Sequence, residues 1–108
     1  MSARLQHVAV TFPPGAADDV RGFYGGLLGL DEMPVPQEVA HLGWVWFATS
    51  QEGVELHFVP QAIAPDPERA HHFCLEVGDL AAQRTRLEDA GVAVRAPAAR
   101  ILDRKSVV

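Results

Sequence analysis

The segments "LQHVAVTF" (residues 5–12) and "AHHFCLEV" (residues 70–77) decide the fold of this chain, because they share one design. In each segment a histidine precedes residues that alternate between the two faces of a β-strand. A helical pattern follows each strand and ends at a glycine, Gly29 in the first half and Gly91 in the second. His7 and His72 lie nearly as far apart along the chain as these two glycines. The pattern indicates that one supersecondary unit occurs twice.

The composition is typical of one small globular domain. The chain has 108 residues, of which 48% are hydrophobic, so it can bury one modest core and is not predicted to be disordered. The formal net charge is -5, and the lysines and arginines are scattered along the chain. Since no basic cluster is present to neutralise phosphates, nucleic acid is not an expected partner.

Cysteine usage and hydropathy predict a cytoplasmic protein without a membrane segment. The one cysteine cannot form an internal disulfide. Arg4, Gln6 and His7 interrupt the start of the chain, so no signal peptide is expected. No apolar run approaches the roughly 20 residues that a membrane-spanning helix needs.

Periodicity and turn residues predict an α+β fold with the element order βαβββ, linker, βαβ. The proline-rich segment "PQAIAPDPERA" is the linker, and Asp79 is predicted to cap the second helix. The predicted strands cover residues 4–11, 30–36, 41–49, 54–59, 71–77 and 92–97, and the predicted helices cover residues 16–28 and 79–91.

The repeat divides the chain into module one (residues 4–59), a linker (60–70) and module two (71–108). We expect two βαβββ-type modules that form a curved mixed sheet with the helices on its outer face. After Gly91 too few residues remain for a hairpin like that of module one, so the second module is predicted to be truncated. A missing strand leaves an open sheet edge, which favours pairing with another chain. We therefore expect a homodimer.

Alternation along three strands predicts a polar face and an apolar face. The apolar sets should lie under the helices, and the polar sets should line a cavity on the other side of the sheet. The polar sets are His7, Ala9 and Thr11; Glu55, His57 and Val59; and His72, Cys74 and Glu76. The apolar sets are Val8 and Val10; Val54, Leu56 and Phe58; and Phe73, Leu75 and Val77.

The polar face carries side chains that suit a metal ion. Neutral imidazole and carboxylate groups bind Zn, Fe, Ni or Mn, and a bound ion would act as a Lewis acid. Cys74 is either a soft ligand or reactive thiol, or a small hydrophobic residue of the strand. Trp44 and Trp46 share a face, where they form an aromatic wall for a planar ligand, ordinary packing, or a dimer contact.

The repeated unit resembles the vicinal oxygen chelate superfamily, which includes glyoxalase I, bleomycin-resistance proteins, fosfomycin-resistance thiol transferases and extradiol dioxygenases. The matching pieces are "LQHVAV", the helix end "FYGGLLGL", "GVELHF", and "HHFCLEV" followed by "LEDAGV". The likeness covers residues 4 to about 96. It implies the paired-module fold predicted above, and often a dimer.

The resemblance also implies roles for single residues. In metal-dependent members the ligands come from the first and last strands of each module, which implies that His7, Glu55 and His72 bind the metal. Glu55 is the implied catalytic residue. The remaining metal ligand of the family is usually a glutamate of the eighth strand, which has no counterpart here. His57, on the same face as Glu55, is the candidate to replace it. His71 and His41 are expected at a strand start and in a turn.

Two functions and one inactive alternative are compatible with these residues. The first is a metal-dependent lyase, isomerase, thiol transferase or dioxygenase that acts on a small oxygen-chelating substrate. The second is a metal-free protein that binds a small, antibiotic-like molecule. The third is a truncated, inactive remnant. No glutathione site can be recognised in the sequence, so glyoxalase I itself is not the expected activity.

Overall fold

A computed structural model describes residues 2–63 and 72–94. The chain divides into two compact units, Met1–Arg69 and Ala70–Val108, and each unit is considered by itself. His71, most of the predicted linker and the predicted truncation after Gly91 lie wholly or partly outside the described residues. Within the described ranges, no helix has both the length and the apolar content that crossing a membrane requires.

The first unit contains a four-stranded mixed sheet, as predicted. Its strands are β1 (His7–Phe12), β2 (Asp31–Met33), β3 (Val45–Ala48) and β4 (Glu55–Pro60). Their order in the sheet is β1-β4-β3-β2, with β1 parallel to β4 and the other neighbours antiparallel. The short β2 is an edge strand, as predicted, but it ends at Met33, before Pro34 and Pro36, whereas the predicted strand extended to residue 36.

The helix between β1 and β2 begins as the α-helix α1 (Ala17–Val20) and continues as a π-helical segment, Arg21–Leu27. The prediction of an ordinary α-helix over residues 16–28 was therefore wrong in its hydrogen bonding, although nearly right in its bounds. Leu28 N–H donates to the Phe23 carbonyl, five residues back. Side-chain periodicity does not distinguish the two helix types over a single turn.

The core of the first unit lies between this helix and one face of the sheet, here called the core face (Val45, Phe47, Leu56 and Phe58). All four side chains are at most 2% exposed. The Tyr24 ring of the π-helical segment lies 4.4 Å from the Phe58 ring, between centroids. Burial of these apolar side chains is the main stabilising contribution to the unit.

Gly25 permits close packing of the helix on the sheet. A Cβ atom at this position would lie 3.4 Å from Cε1 of Phe47, at the near limit of ordinary van der Waals contact. The glycine weakens the helix by about 1 kcal/mol relative to alanine. Gly25 therefore marks a place where the helix lies close to the fully buried Phe47 ring.

The predicted strand over residues 41–49 begins too early. A 3-10 helix covers Gln37–Leu42, so His41 and Leu42 belong to it. Gly43 ends the helix in the left-handed conformation, with φ of 77°, and β3 starts only at Val45. A left-handed glycine interrupts an extended strand, so the apolar run before it could not join the sheet.

The second unit contains the predicted helix, α2 (Leu80–Asp89). Asp79 is its N-cap, and its carboxylate accepts a hydrogen bond from the Ala82 N–H at 3.0 Å. At the other end Gly91 has a φ of 81°, and the Val92 N–H donates to the Leu87 carbonyl. The two bonds that the Gly91 and Val92 amides make close the helix in a Schellman motif.

The predictions of two strands in the second unit were wrong for those of their residues that the structure describes. Residues 72–77 contain only one bridge residue, Glu76, and residues 92–94 contain no strand. The alternation of exposure nevertheless persists, with His72, Cys74 and Glu76 exposed and the residues between them half-buried. Alternation of side chains therefore predicted which residues of this segment are exposed, but it does not determine the backbone hydrogen bonding.

Tyr24 supplies a prediction about alkaline pH. It is the only tyrosine of the chain, and burial raises the pKa of its phenol above 10.0. We expect tyrosinate absorbance to appear at higher pH in the folded protein than in urea. Because the unfolded chain ionises first, the stability that Tyr24 contributes is complete below about pH 10 and is lost as the pH rises toward the folded pKa. Coinciding titration curves would contradict this.

Candidate functional site

The second face of the first sheet, here called the histidine face, carries most of the predicted site residues. Its side chains from the three neighbouring strands are His7, Ala9, Thr11, Trp46, Ala48, Glu55, His57 and Val59. His7 is paired in register with Glu55, and Trp46 is paired with His57. The predicted division of β1 and β4 into a polar and an apolar face is confirmed, since Leu56 and Phe58 lie in the core.

Four aromatic side chains form a continuous row across the histidine face, here called the ring row (Trp44, Trp46, His57 and His7). The Trp46 and His57 rings are 3.7 Å apart between centroids and parallel within 1°. His7 stacks on the other side of His57 at 4.2 Å and 14°. Trp44 lies 6.3 Å from Trp46. Rings on both sides leave His57 only 9% exposed, although it lies on the polar face.

Glu55 and His57 form a shielded pair on β4. The Glu55 Oε1 atom lies 2.8 Å from His57 Nε2, and the two side chains are 19% and 11% exposed. A carboxylate oxygen only accepts, so Nε2 carries the hydrogen and donates. The bond compensates for the burial of two polar groups, and shielding from water strengthens it. One carboxylate oxygen of Glu55 is thereby occupied, and Oε2 remains for another group.

The hydrogen bond of His7 determines which of its two ring nitrogens keeps a free lone pair. Nδ1 of His7 is bonded to Oε1 of Gln6. Since the amide oxygen accepts, Nδ1 carries the hydrogen in the neutral ring, and Nε2 keeps its lone pair. Histidines that bind metals usually donate their second ring N–H to an oxygen in this way.

The donor set fits part of a divalent metal site. His7 Nε2 and Glu55 Oε2 belong to register-paired residues on one face, and each ligand is held by a hydrogen bond through its other polar atom. Imidazole nitrogen and carboxylate oxygen are ligands for Zn, Fe, Ni and Mn. Over residues 2–63 and 72–94, no three His, Cys, Asp or Glu side chains are grouped as a metal-binding cluster.

The remaining predicted residues do not belong to the sheet of the first unit. His72 and Cys74 belong to the second unit and are exposed, and Cys74 is a free thiol. Their predicted roles as a ligand and as a soft ligand or thiol stay predictions. His41 is exposed on the 3-10 helix. The structure brings together His7, Glu55, His57, Trp44 and Trp46, all in the first unit.

Sequence reasoning missed Gln6 and the stacking of His57. Gln6 precedes β1, and its side-chain Oε1 accepts a hydrogen bond from the adjacent His7 ring, a contact that no periodicity predicts. The contact of His57 with Glu55 did have a signal in the sequence, because strand alternation places the two residues on the same face, two positions apart. The stack with Trp46 follows from the antiparallel register of β3 and β4, which the sequence pattern leaves undetermined.

Comparison with known proteins now identifies the family. A family model described as the Glyoxalase/Bleomycin resistance protein/Dioxygenase superfamily matches residues 4–105, nearly the whole chain. The chain belongs to this superfamily. The resemblance inferred from the repeated histidine strand is thereby confirmed. A comparison with curated proteins found no match.

Solved structures have the same fold. The chain is similar to a glyoxalase family protein from Bacillus anthracis, with 28% identity and a TM-score of 0.69 over 84% of this chain and 72% of that one. It is also similar to a glyoxalase/dioxygenase from Nostoc punctiforme, with 22% identity and a TM-score of 0.64 over 87% and 74% of the two chains. The third structure is an integron cassette protein from the mobile metagenome of the Halifax Harbour sewage outfall. Its sequence identity with this chain is 19% and its TM-score is 0.63, over 88% of this chain and 77% of that one.

Proposed function

We propose that this protein is a metal-dependent enzyme that acts on a small substrate bearing neighbouring oxygen atoms, with His7 and Glu55 as metal ligands. The observation that carries the proposal is a pair of hydrogen bonds, one from His7 Nδ1 to Gln6 Oε1 and one from His57 Nε2 to Glu55 Oε1. They leave His7 Nε2 and Glu55 Oε2 on the same face of the sheet. Membership of a superfamily that includes dioxygenases and glyoxalases supports it. A lyase, isomerase, thiol transferase or dioxygenase reaction is compatible with this site.

The site residues would have different roles in this reaction. A bound divalent ion would supply Lewis acidity toward a substrate oxygen. Glu55, held through Oε1, is the candidate proton acceptor as well as a ligand, and its partly buried position keeps bulk water from competing with it. Trp46 and His57 form a rigid wall beside these two residues.

Isothermal titration calorimetry with the chelator-stripped protein tests the proposal. We expect the wild type to bind at least one of Zn, Ni, Mn or Fe(II), and His7→Ala and Glu55→Ala each to lose most of that affinity. His41→Ala and Glu52→Ala are matched controls, because these exposed residues lie in the 3-10 helix and in the β3–β4 turn. They should bind as the wild type does. The same titration of His72→Ala measures the contribution of the second unit.

Absence of binding with every ion would contradict the metal-dependent proposal. The ring row favours the second candidate in that case, a metal-free protein that binds a small planar molecule, because Trp44 and Trp46 offer aromatic surface beside the polar residues. A ligand-binding screen followed through tryptophan fluorescence would then be the next measurement.

A further inference from the structure

We propose that His57 is a positioning residue, whose Nε2–H holds the Glu55 carboxylate in the orientation that metal binding needs. The inference rests on the proposed function, because it concerns the same Glu55. His57 itself does not touch the metal in this proposal. Its single polar role is to occupy one carboxylate oxygen and so to aim the other.

The geometry of the pair supports a fixed orientation. Glu55 and His57 project from the same face of β4, and Nε2 lies 2.8 Å from Oε1. A carboxylate side chain has several rotatable bonds, and ordering it requires conformational free energy. A hydrogen bond already formed in the folded protein removes part of that requirement before the ion arrives.

The ring row fixes the orientation of the His57 ring, which is the hydrogen-bond donor to Glu55. His57 lies between the Trp46 ring at 3.7 Å and the His7 ring at 4.2 Å, whose planes are inclined by 1° and 14° to its own. Rotation of the His57 ring out of this plane would bring it into contact with both neighbours. The direction of its Nε2–H is therefore set by packing, which a flexible exposed donor would not achieve.

His57 could instead contribute only by stacking, as packing for Trp46. Two substitutions separate this alternative from the proposal. His57→Phe keeps a flat ring between Trp46 and His7 and removes the N–H donor. His57→Gln removes the ring and keeps an amide N–H donor at about the position of Nε2. The two variants remove opposite properties of one residue.

Calorimetric titration of both variants with the best-bound ion of the wild type gives the test. Removal of a hydrogen-bond partner behind a metal ligand typically lowers metal affinity by roughly 10- to 100-fold. We expect that loss in His57→Phe, and an affinity within a few-fold of the wild type in His57→Gln. Near-ultraviolet circular dichroism confirms that each variant is folded and reports on the packing of the tryptophans.

Three results would overturn the inference. Equal affinity in the wild type and His57→Phe would show that the hydrogen bond has no role. A larger loss in His57→Gln than in His57→Phe would assign the effect to stacking. No metal binding by the wild type would refute the proposed function and this inference together, whereas the first two results leave the proposed function intact.

A measurement without metal tests the hydrogen bond itself. Nitrogen-15 spectra of the histidine side chains should show His57 with hydrogen on Nε2, protected from exchange with water, and should lose that protection in Glu55→Ala, which removes the acceptor. A His57 ring with hydrogen on Nδ1 alone would contradict the pairing on which the inference is built.

Discussion

Replacing Phe47 by alanine should lower the free energy of unfolding by about 3–5 kcal/mol, the usual range for truncating a buried phenylalanine. Phe47 is 0% exposed, and its ring packs edge to face on Phe58 at 5.9 Å between centroids. Its other side faces Gly25, which has no side chain to fill the space left behind. The cavity would therefore collapse poorly, which places the expected loss toward the upper part of the range.

This loss is a large fraction of the total free energy of unfolding, which is typically only about 5–15 kcal/mol for a domain. Urea denaturation followed by circular dichroism measures it. Leu42→Ala is the control, since Leu42 is 43% exposed on the 3-10 helix and its truncation should change stability by no more than about 0.5 kcal/mol. A loss below about 1 kcal/mol in Phe47→Ala would mean that this side chain is not at the centre of the core.

Metal binding should produce the second large effect, an increase in thermal stability. An ion present at a hundredfold excess over its dissociation constant raises the free energy of unfolding by about 2.7 kcal/mol. For a domain of about 100 residues this corresponds to a rise in Tm of roughly 10 °C or more. The measurement is a thermal melt of the chelator-stripped protein with and without each ion.

The variant that should lack this rise is His7→Ala. His7 is exposed and lies outside the core, so its substitution should lower the metal-free Tm only slightly, through the loss of its stack on His57. Thr11→Ala, on the same face of β1, should keep the full rise. If His7→Ala were stabilised as much as the wild type, the ion would be binding elsewhere on the chain.

The sequence pattern predicted those parts of the fold that depend on side-chain alternation and on caps. Strands β1 and β4, the edge strand β2 and the capped helix α2 all follow from such local signals. The parts it missed depend on backbone hydrogen bonding. In the π-helical segment Arg21–Leu27 the side chains of Phe23, Tyr24 and Leu27 are half-buried and Arg21 is exposed, as in an amphipathic α-helix. The altered hydrogen bonding is therefore not visible in the sequence pattern. Residues 72–77 alternate correctly and still form only one bridge residue.

The candidate site divides in the same way. That His7, Glu55 and His57 share one face was predictable, because alternation is a property of each strand alone. The contact of Gln6 with His7 and the stack of His57 between Trp46 and His7 were not predictable. They depend on rotamers and on the register between strands, which form only when the whole sheet is assembled.

Strand β4 has a consequence for how this sequence can change during evolution. Its residues serve the core and the candidate site in strict alternation, so one inserted or deleted residue would exchange Leu56 and Phe58 with Glu55 and His57. Such a change would bury a carboxylate and expose the core in one event. Descendants of this chain can therefore vary the candidate site by substitution, while selection for a folded protein alone will preserve the length of β4 and its turn, even in a lineage that does not use the site.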